Sequence, residues 1–392
     1  MRTTIALVVS LVLVVSSGAA IDGWHEKPSN EPVEFSTLIK TALAIEGLTG
    51  DDAGNLYTVG RAGANGVPCP VWRVNVDNPS LAVVGFVPAP SAAAQCSPSG
   101  LAFNADRDLF VADGGRVYRL SPSSVTQPTA TVFAAGVPGT NGLAFDRSGN
   151  LWTGDGTTGQ GRVWRVSPIG VPQEMFRVQP MRNSNALGGL RPDDGVGRQV
   201  RDFPPGTLSN TAGAQDLVAN GVAFNHEGDL LIADTARGAL WKVSFDQNGE
   251  VENAMGCDET LPADTLCLDS VYIAHPLLEG VDGIALDEAG NVWADANERN
   301  ALVFVTKSRR EVVEIFRNPV HPASGLRNEG PLEFPTSPFL LGHRLCTSNS
   351  DNDRRDNSPR AAGELGTAFR GKISCVSGGL TLAIPGLPLP IR

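Results

Sequence analysis

One phrase recurs along this chain at near-regular intervals, and it constrains the fold more than any other feature. Glu46-Gly47-Leu48 runs to Gly54-Asn55-Leu56-Tyr57, Ser99-Gly100-Leu101-Ala102-Phe103 to Asp108-Leu109-Phe110, and Asn141-Gly142-Leu143-Ala144-Phe145-Asp146 to Gly149-Asn150-Leu151-Trp152. Asn220-Gly221-Val222-Ala223-Phe224 runs to Gly228-Asp229-Leu230-Leu231, and Asp282-Gly283-Ile284-Ala285-Leu286-Asp287 to Gly290-Asn291-Val292-Trp293. Each copy reads as a strand, a tight turn carrying Gly with Asn or Asp, and a second strand. A third strand of alternating character follows: Val71–Val74, Val117–Leu120, Val163–Val166, Leu240–Val243 and Leu302–Val305. A sixth, degenerate copy begins near Pro335–Leu340 and continues through Leu345–Thr347 to Gly371–Cys375.

Six copies of about 62 residues match the scale of a four-stranded blade with loop insertions, which predicts an all-β, six-bladed β-propeller. A blade buries its faces only against its neighbours, so residues 21–392 are expected to form one domain. The stretch Pro32 to Leu38 precedes the first copy and is placed to supply the last strand of the final blade, closing the ring. Composition agrees. The 44 glycines and 28 prolines suit many short strands, while 41% hydrophobic against 19% charged residues supplies a core.

Residues 1–20 read as a signal peptide: Arg2 is basic, Ile5 to Val15 are apolar but too few to span a bilayer, and Ser16 to Ala20 are small. Export is the expectation, with no membrane association after cleavage. A net charge of −11 argues against nucleic acid as a partner. The expected partner is a small molecule, and the expected state a monomer. Six cysteines in an exported chain suggest disulfides; the absence of CxxC pairs and the scatter of five histidines argue against zinc.

The first strand of a propeller blade lines the central channel, so equivalent slots of the repeats should meet around one axis. The slot before each Gly reads Glu46, Ser99, Asn141, Asn220 and Asp282, with Thr336 or Ser337 as the sixth. Two carboxylates and two amide carbonyls form a hard, all-oxygen donor set suited to Ca²⁺ rather than to zinc or copper.

The Glu-Gly-Leu opening, the Asn-Gly phrases at 141 and 220 and the Asp-Gly-Ile-Ala-Leu-Asp-x-x-Gly-Asn-Val-Trp phrase at 282 resemble the senescence marker protein/gluconolactonase family, also called regucalcin-like. The resemblance implies a calcium-dependent six-bladed propeller in which Glu46, Asn141, Asn220 and Asp282 ligate a catalytic divalent cation, with Asp282 also general base or nucleophile. As a ligand, Asp282 would have a low pKa, which weakens it as a base and keeps the nucleophile role open. One departure stands out. Gluconolactonases carry an Arg two residues before the first metal Asn and an Asp directly after it, where this chain has Gly139 and Gly142. Hydrolysis of a lactone or related ester is the leading implication. Phosphotriester hydrolysis at the same site, a non-catalytic calcium-stabilised binding propeller, and a metal-free strictosidine-synthase-like propeller are the alternatives; the complete column disfavours the last.

Strand direction places the slots, the loops between second and third strands and the blade-to-blade connections on one face. Six cysteines allow fifteen sets of pairs, and the set that fits this geometry is Cys69–Cys96, Cys257–Cys267 (in one connection on that face) and Cys346–Cys375 (on adjacent strands). The long stretch Gln179 to Ala219, with Arg182, Arg191, Asp193, Asp194, Arg198, Arg201 and Asp202, is expected as a lid. His226 and His343 fall in turns on the opposite face, and His25, His275 and His321 in segments with no catalytic signature. Gly154–Gly159 matches GxGxxG but joins two strands, so it reads as a loop. Asp351-Asn352-Asp353 fails the EF-hand pattern at Arg355 and Asp356. The aromatics Trp72, Tyr118, Trp152, Trp164, Trp241 and Trp293 read as blade packing.

Overall fold

The computed structural model describes residues 33–180, 218–257, 259, 261–323, 325–352, 355–357, 366 and 369–378. The expected signal peptide, His25, Pro32 and the seven charged residues of the expected lid lie outside the described residues.

The described strands form six sheets arranged as a six-bladed β-propeller. A leading strand, β1 (Glu34–Thr41), is followed by a first blade of β2 (Thr49–Gly50), β3 (Asn55–Val59), β4 (Cys69–Asn75) and β5 (Leu81–Val87). The second blade comprises β6 (Pro98–Phe103), β7 (Leu109–Asp113), β8 (Arg116–Leu120) and β9 (Thr131–Ala135). The third has β10 (Thr140–Phe145), β11 (Leu151–Asp155), β12 (Arg162–Val166) and β13 (Pro172–Val178). The fourth has β14 (Ala219–Phe224), β15 (Leu230–Asp234) and β16 (Ala239–Val243), then, beyond the short β17 (Thr265–Leu266), its outer strand β18 (Val271–Ala274). The fifth is β19 (Val281–Leu286), β20 (Val292–Ala296), β21 (Ala301–Val305) and β22 (Val312–Arg317). The last is β23 (Pro335–Leu341), β24 (Arg344–Asn349) and β25 (Gly371–Gly378), completed by β1, which pairs antiparallel with β25. The ring is closed by joining the two ends of the propeller in one sheet, as the sequence suggested.

The recurring phrase has a local cause. Asp146 opens the β10–β11 turn: its Oδ1 accepts the Asn150 backbone N–H at 2.9 Å, and its Oδ2 accepts Asn150 Nδ2 at 2.8 Å and Trp152 Nε1 at 2.9 Å. Asp287 repeats this with Asn291 and Trp293, and Asp51 with Asn55 and the Tyr57 hydroxyl. One carboxylate thus satisfies the turn and the polar edge of a core aromatic together. Trp72, Tyr118, Trp152, Trp241 and Trp293 are buried, as the packing reading expects, while Trp164 is only partly buried.

The glycine after each slot has a different cause. A Cβ on Gly47 would come within 2.2 Å of the Ser99 carbonyl oxygen, on Gly100 within 2.1 Å of Asn141 O, and on Gly142 within 2.8 Å of Asn220 O. Gly221 faces Asp282 O at 2.5 Å and Gly283 faces Thr336 O at 2.3 Å in the same way. Each inner strand therefore nests its glycine against the next blade's slot residue. This makes Thr336, not Ser337, the sixth member of the ring. At the last junction hydroxyls replace the glycine contact: Thr336 Oγ1 donates to the Glu46 carbonyl at 2.7 Å, and Ser348 Oγ bonds the same oxygen.

Three disulfides join the expected pairs, Cys69–Cys96, Cys257–Cys267 and Cys346–Cys375. The second reaches the slot end as expected, beside β17, but the connection that carries it differs from expectation. It lies between the third and fourth strands of the fourth blade, in a connection that leaves Val243 at the end remote from the slots. That connection climbs to the slot end of the third blade, where β17 pairs parallel with β13. The third blade is consequently five-stranded. The excursion covers an edge that β13 would otherwise expose. Among the described residues no helix is long and apolar enough to cross a membrane.

Candidate active site

All four residues singled out as ligands, Glu46, Asn141, Asn220 and Asp282, line one cavity of about 480 Å³ at the slot end of the channel, together with Ser99. Asn141, Asn220 and Asp282 reach it from the same register of the inner strands β10, β14 and β19, and Glu46 from the equivalent position in the segment that leads into β2. Asn141, Asn220 and Asp282 are buried and Glu46 is partly so.

A second column, which the sequence reading missed, stands behind the first. The residue five positions after the leading hydrophobic of each second strand is Arg61, Gly114, Gly156, Thr235 or Asn297, and all five line the cavity. Where this residue has a polar side chain, it bonds the slot residue of its own blade. Arg61 Nη2 pairs with Glu46 Oε2, Asn220 Nδ2 donates to Thr235 Oγ1 at 3.2 Å, and Asn297 Nδ2 donates to Asp282 Oδ2 at 2.9 Å. At Gly156 the missing side chain makes room for the slot, since a Cβ there would lie 2.2 Å from Asn141 Nδ2, whereas a Cβ on Gly114 would meet nothing within 4 Å. The same repeat alignment that yields the slots would have exposed this column. The loop Gly154–Gly159 is likewise no nucleotide motif, yet its Gly156, Thr157 and Gly159 form part of the cavity wall.

The electrostatics follow from burial. Desolvation pushes the Asp282 carboxyl up to about 7, although the Asn297 amide, the Arg61 charge and the Asn220 amide pull the other way. The protein alone thus supplies too little positive charge for Asp282 to ionise at its usual pH, contrary to the low value inferred from ligation. Asp295, fully buried on β20, is held well above the carboxylate range chiefly by desolvation, then by the charge of Asp282. Thr347 Oγ1 donates to its Oδ2, and its Oδ1 has no hydrogen-bond partner. Burial also raises the Asp113 carboxyl; its Oδ1 accepts the Ser97 N–H at 3.0 Å and its Oδ2 has no partner. Arg61 donates Nε to the Pro98 carbonyl at 3.2 Å, and burial lowers its pKa against the opposing charges of Asp282 and Asp113. Among the described residues no histidine lines this cavity; His275 Nδ1 instead accepts the Leu277 N–H, capping a short 3₁₀ turn.

These features define a class: a propeller whose channel mouth gathers oxygen donors and buried carboxylates around a small-molecule-sized cavity. The comparisons narrow it. A family model described as SMP-30/Gluconolactonase/LRE-like region matches residues 202–324, a span holding Asn220 and Asp282 but not Glu46 or Asn141. The chain is a six-bladed β-propeller related to that family. No curated protein matches the sequence. A calcium-binding protein, regucalcin, from Agrobacterium tumefaciens is similar in structure at 16% identity and TM-score 0.56, covering 91% of this chain and 96% of that one. A luciferin-regenerating enzyme is similar at 13% identity and TM-score 0.55, covering 91% and 98%. The PQQ-bound aldose sugar dehydrogenase of Streptomyces coelicolor is similar at 15% identity and TM-score 0.50, covering 88% and 100%. At these identities the structural likeness establishes the fold.

Among the described residues, no group of three or more His, Cys, Asp or Glu side chains is placed to hold a metal ion. The slot set has two carboxylates and two amides, which fits a hard divalent cation in donor chemistry and fits zinc poorly.

Proposed function

We propose that this chain is an exported, divalent-cation-dependent hydrolase of a lactone or related ester, with Ca²⁺ as the favoured cation. The convergence of Glu46, Asn141, Asn220 and Asp282 on one cavity carries the reading. These four residues would hold the cation. The regucalcin structure described as calcium-binding supports the choice of metal, and three disulfides with an apolar N-terminal stretch support export.

When bound, such a cation supplies Lewis-acid polarisation of an ester carbonyl oxygen. Asp282 is the candidate catalytic residue. Its carboxylate, oriented by the Asn297 amide on Oδ2, takes a proton from the attacking water or attacks the carbonyl carbon itself. Thr235 orients Asn220, and the Asn297 and Thr235 side chains keep the slot groups from turning away from the cavity. Charge balance selects an uncharged substrate. Glu46, Asp282 and Glu298 oppose Arg61 on the cavity wall, so a divalent cation brings it to neutrality. The protein is expected to act as a monomer on a small molecule, without nucleic acid or membrane as partner.

A non-catalytic propeller in which the cation only braces the structure is the second reading, favoured by the engagement of Glu46 with Arg61. Turnover of a panel of lactones, aryl esters and phosphotriesters by the purified chain, with and without chelator, decides between them. Chelator-sensitive hydrolysis is expected. Cation binding without turnover of any substrate supports the second reading, and turnover indifferent to chelator removes the cation from the chemistry.

A further inference from the structure

Arg61 is the only cationic side chain among the described residues that line the cavity, and its equivalents in the second column, Gly114, Gly156, Thr235 and Asn297, are all uncharged. We infer that Arg61 is an internal counter-ion that competes with the divalent cation for Glu46 and thereby sets the site's cation affinity. The inference rests on the cation-site reading above and specifies how that site is regulated from within.

The geometry is specific. Arg61 follows the bridge between Ile45 and Gly60, and its backbone N–H bonds the Ala44 carbonyl at 2.7 Å, so its backbone is fixed beside the Glu46 segment. Its Nε is fixed to Pro98 O of the neighbouring blade, and its Nη2 lies on Glu46 Oε2. With both its backbone and its Nε held, the guanidinium stays near the slot when a cation arrives. Two consequences follow. One oxygen of Glu46 is already engaged, and a fixed positive charge faces the incoming one across a poorly solvated gap, where like charges repel strongly. A guanidinium keeps its charge in proteins, so the competitor remains charged.

The opposite sign would hold if Arg61 served to position Glu46. Removing a positioning group loosens a ligand and weakens cation binding, whereas removing a competitor tightens it. Isothermal titration of Ca²⁺ into the full chain at neutral pH separates the two. Arg61→Gln and Arg61→Met, the latter keeping an aliphatic stem in the buried bed, are expected to bind Ca²⁺ at least tenfold more tightly than wild type. Equal or weaker binding by neutral variants with wild-type circular dichroism overturns the counter-ion role. Should both fail to fold, Arg61→Lys carries the test: affinity within threefold of wild type supports a role for charge, and a larger loss assigns positioning by the guanidinium. Absence of Ca²⁺ binding in wild type and neutral variants alike overturns the cation site itself. Binding of equal strength in both overturns only the role of Arg61.

Discussion

The two ends of the channel are built from the same six strands, and only two residues separate their chemistry. At the mouth stand Glu46, Ser99, Asn141, Asn220, Asp282 and Thr336; two positions further along stand Leu48, Leu101, Leu143, Val222, Ile284 and Pro338. All of the first ring but Thr336 opens on the polar cavity, whereas the second lines an apolar cavity of about 140 Å³ that also meets Phe103, Phe145, Phe224 and Phe339. The alternation of a strand would place residues two apart on one face, and so it does here. What changes is depth along the axis. The lesson is that pseudosymmetry concentrates chemistry in one layer and seals it below with another.

Breaking the mouth has the largest expected effect. Asp282→Asn removes one ligand charge and the candidate base or nucleophile, and should lower turnover about a thousandfold while the fold survives. Steady-state kinetics beside a melting curve checks both halves; activity within tenfold of wild type would sink the role of Asp282.

The collar should answer in stability instead. Leu101→Ala, at a site 7% exposed, is expected to cost about 2–4 kcal/mol by urea unfolding, while Ser99→Ala, two residues away and equally buried, should cost under about 1 kcal/mol. Equal losses at the two positions would erase the distinction between the rings.

A smaller effect comes from pH. Unfolded Asp282 ionises from about the ordinary value of 3.8, whereas the folded carboxyl keeps its proton to about 7. Between those limits the unfolded state binds fewer protons, so stability falls as pH rises, by up to about 1.4 kcal/mol per unit from this group. Thermal melts of the chelator-treated protein from pH 4 to 8 should show a steeper decline in wild type than in Asp282→Asn. Parallel curves would mean that Asp282 titrates normally. The smallest expected change is at the last junction, where Thr336→Val removes a hydroxyl from the Glu46 carbonyl and should cost about 1 kcal/mol in a melt.

Much of this was legible along the chain because repetition made it so. The hairpin turns, the third strands, the closing strand and the slots all sit at a fixed offset from one phrase. The most conspicuous part of that phrase, Asp-x-x-Gly-Asn with a following aromatic, turned out to build the turn remote from the cavity. Arg61, Thr235 and Asn297 were missed because their types differ from blade to blade, so only their register marks them. The fifth strand of the third blade was invisible for another reason: Thr265 and Leu266 make two residues of edge pairing that no periodicity can announce.

The linear order of residues determined the blade count, the ring closure and five of the six slot side chains, because each follows from local period or from rotation about one axis. Only the folded structure decided which groups touch across that axis, since ion pairing and desolvation depend on three-dimensional proximity. The pairing of Arg61 with Glu46, the support of Asp282 by Asn297 and the near-neutral pKa of Asp282 all arise there.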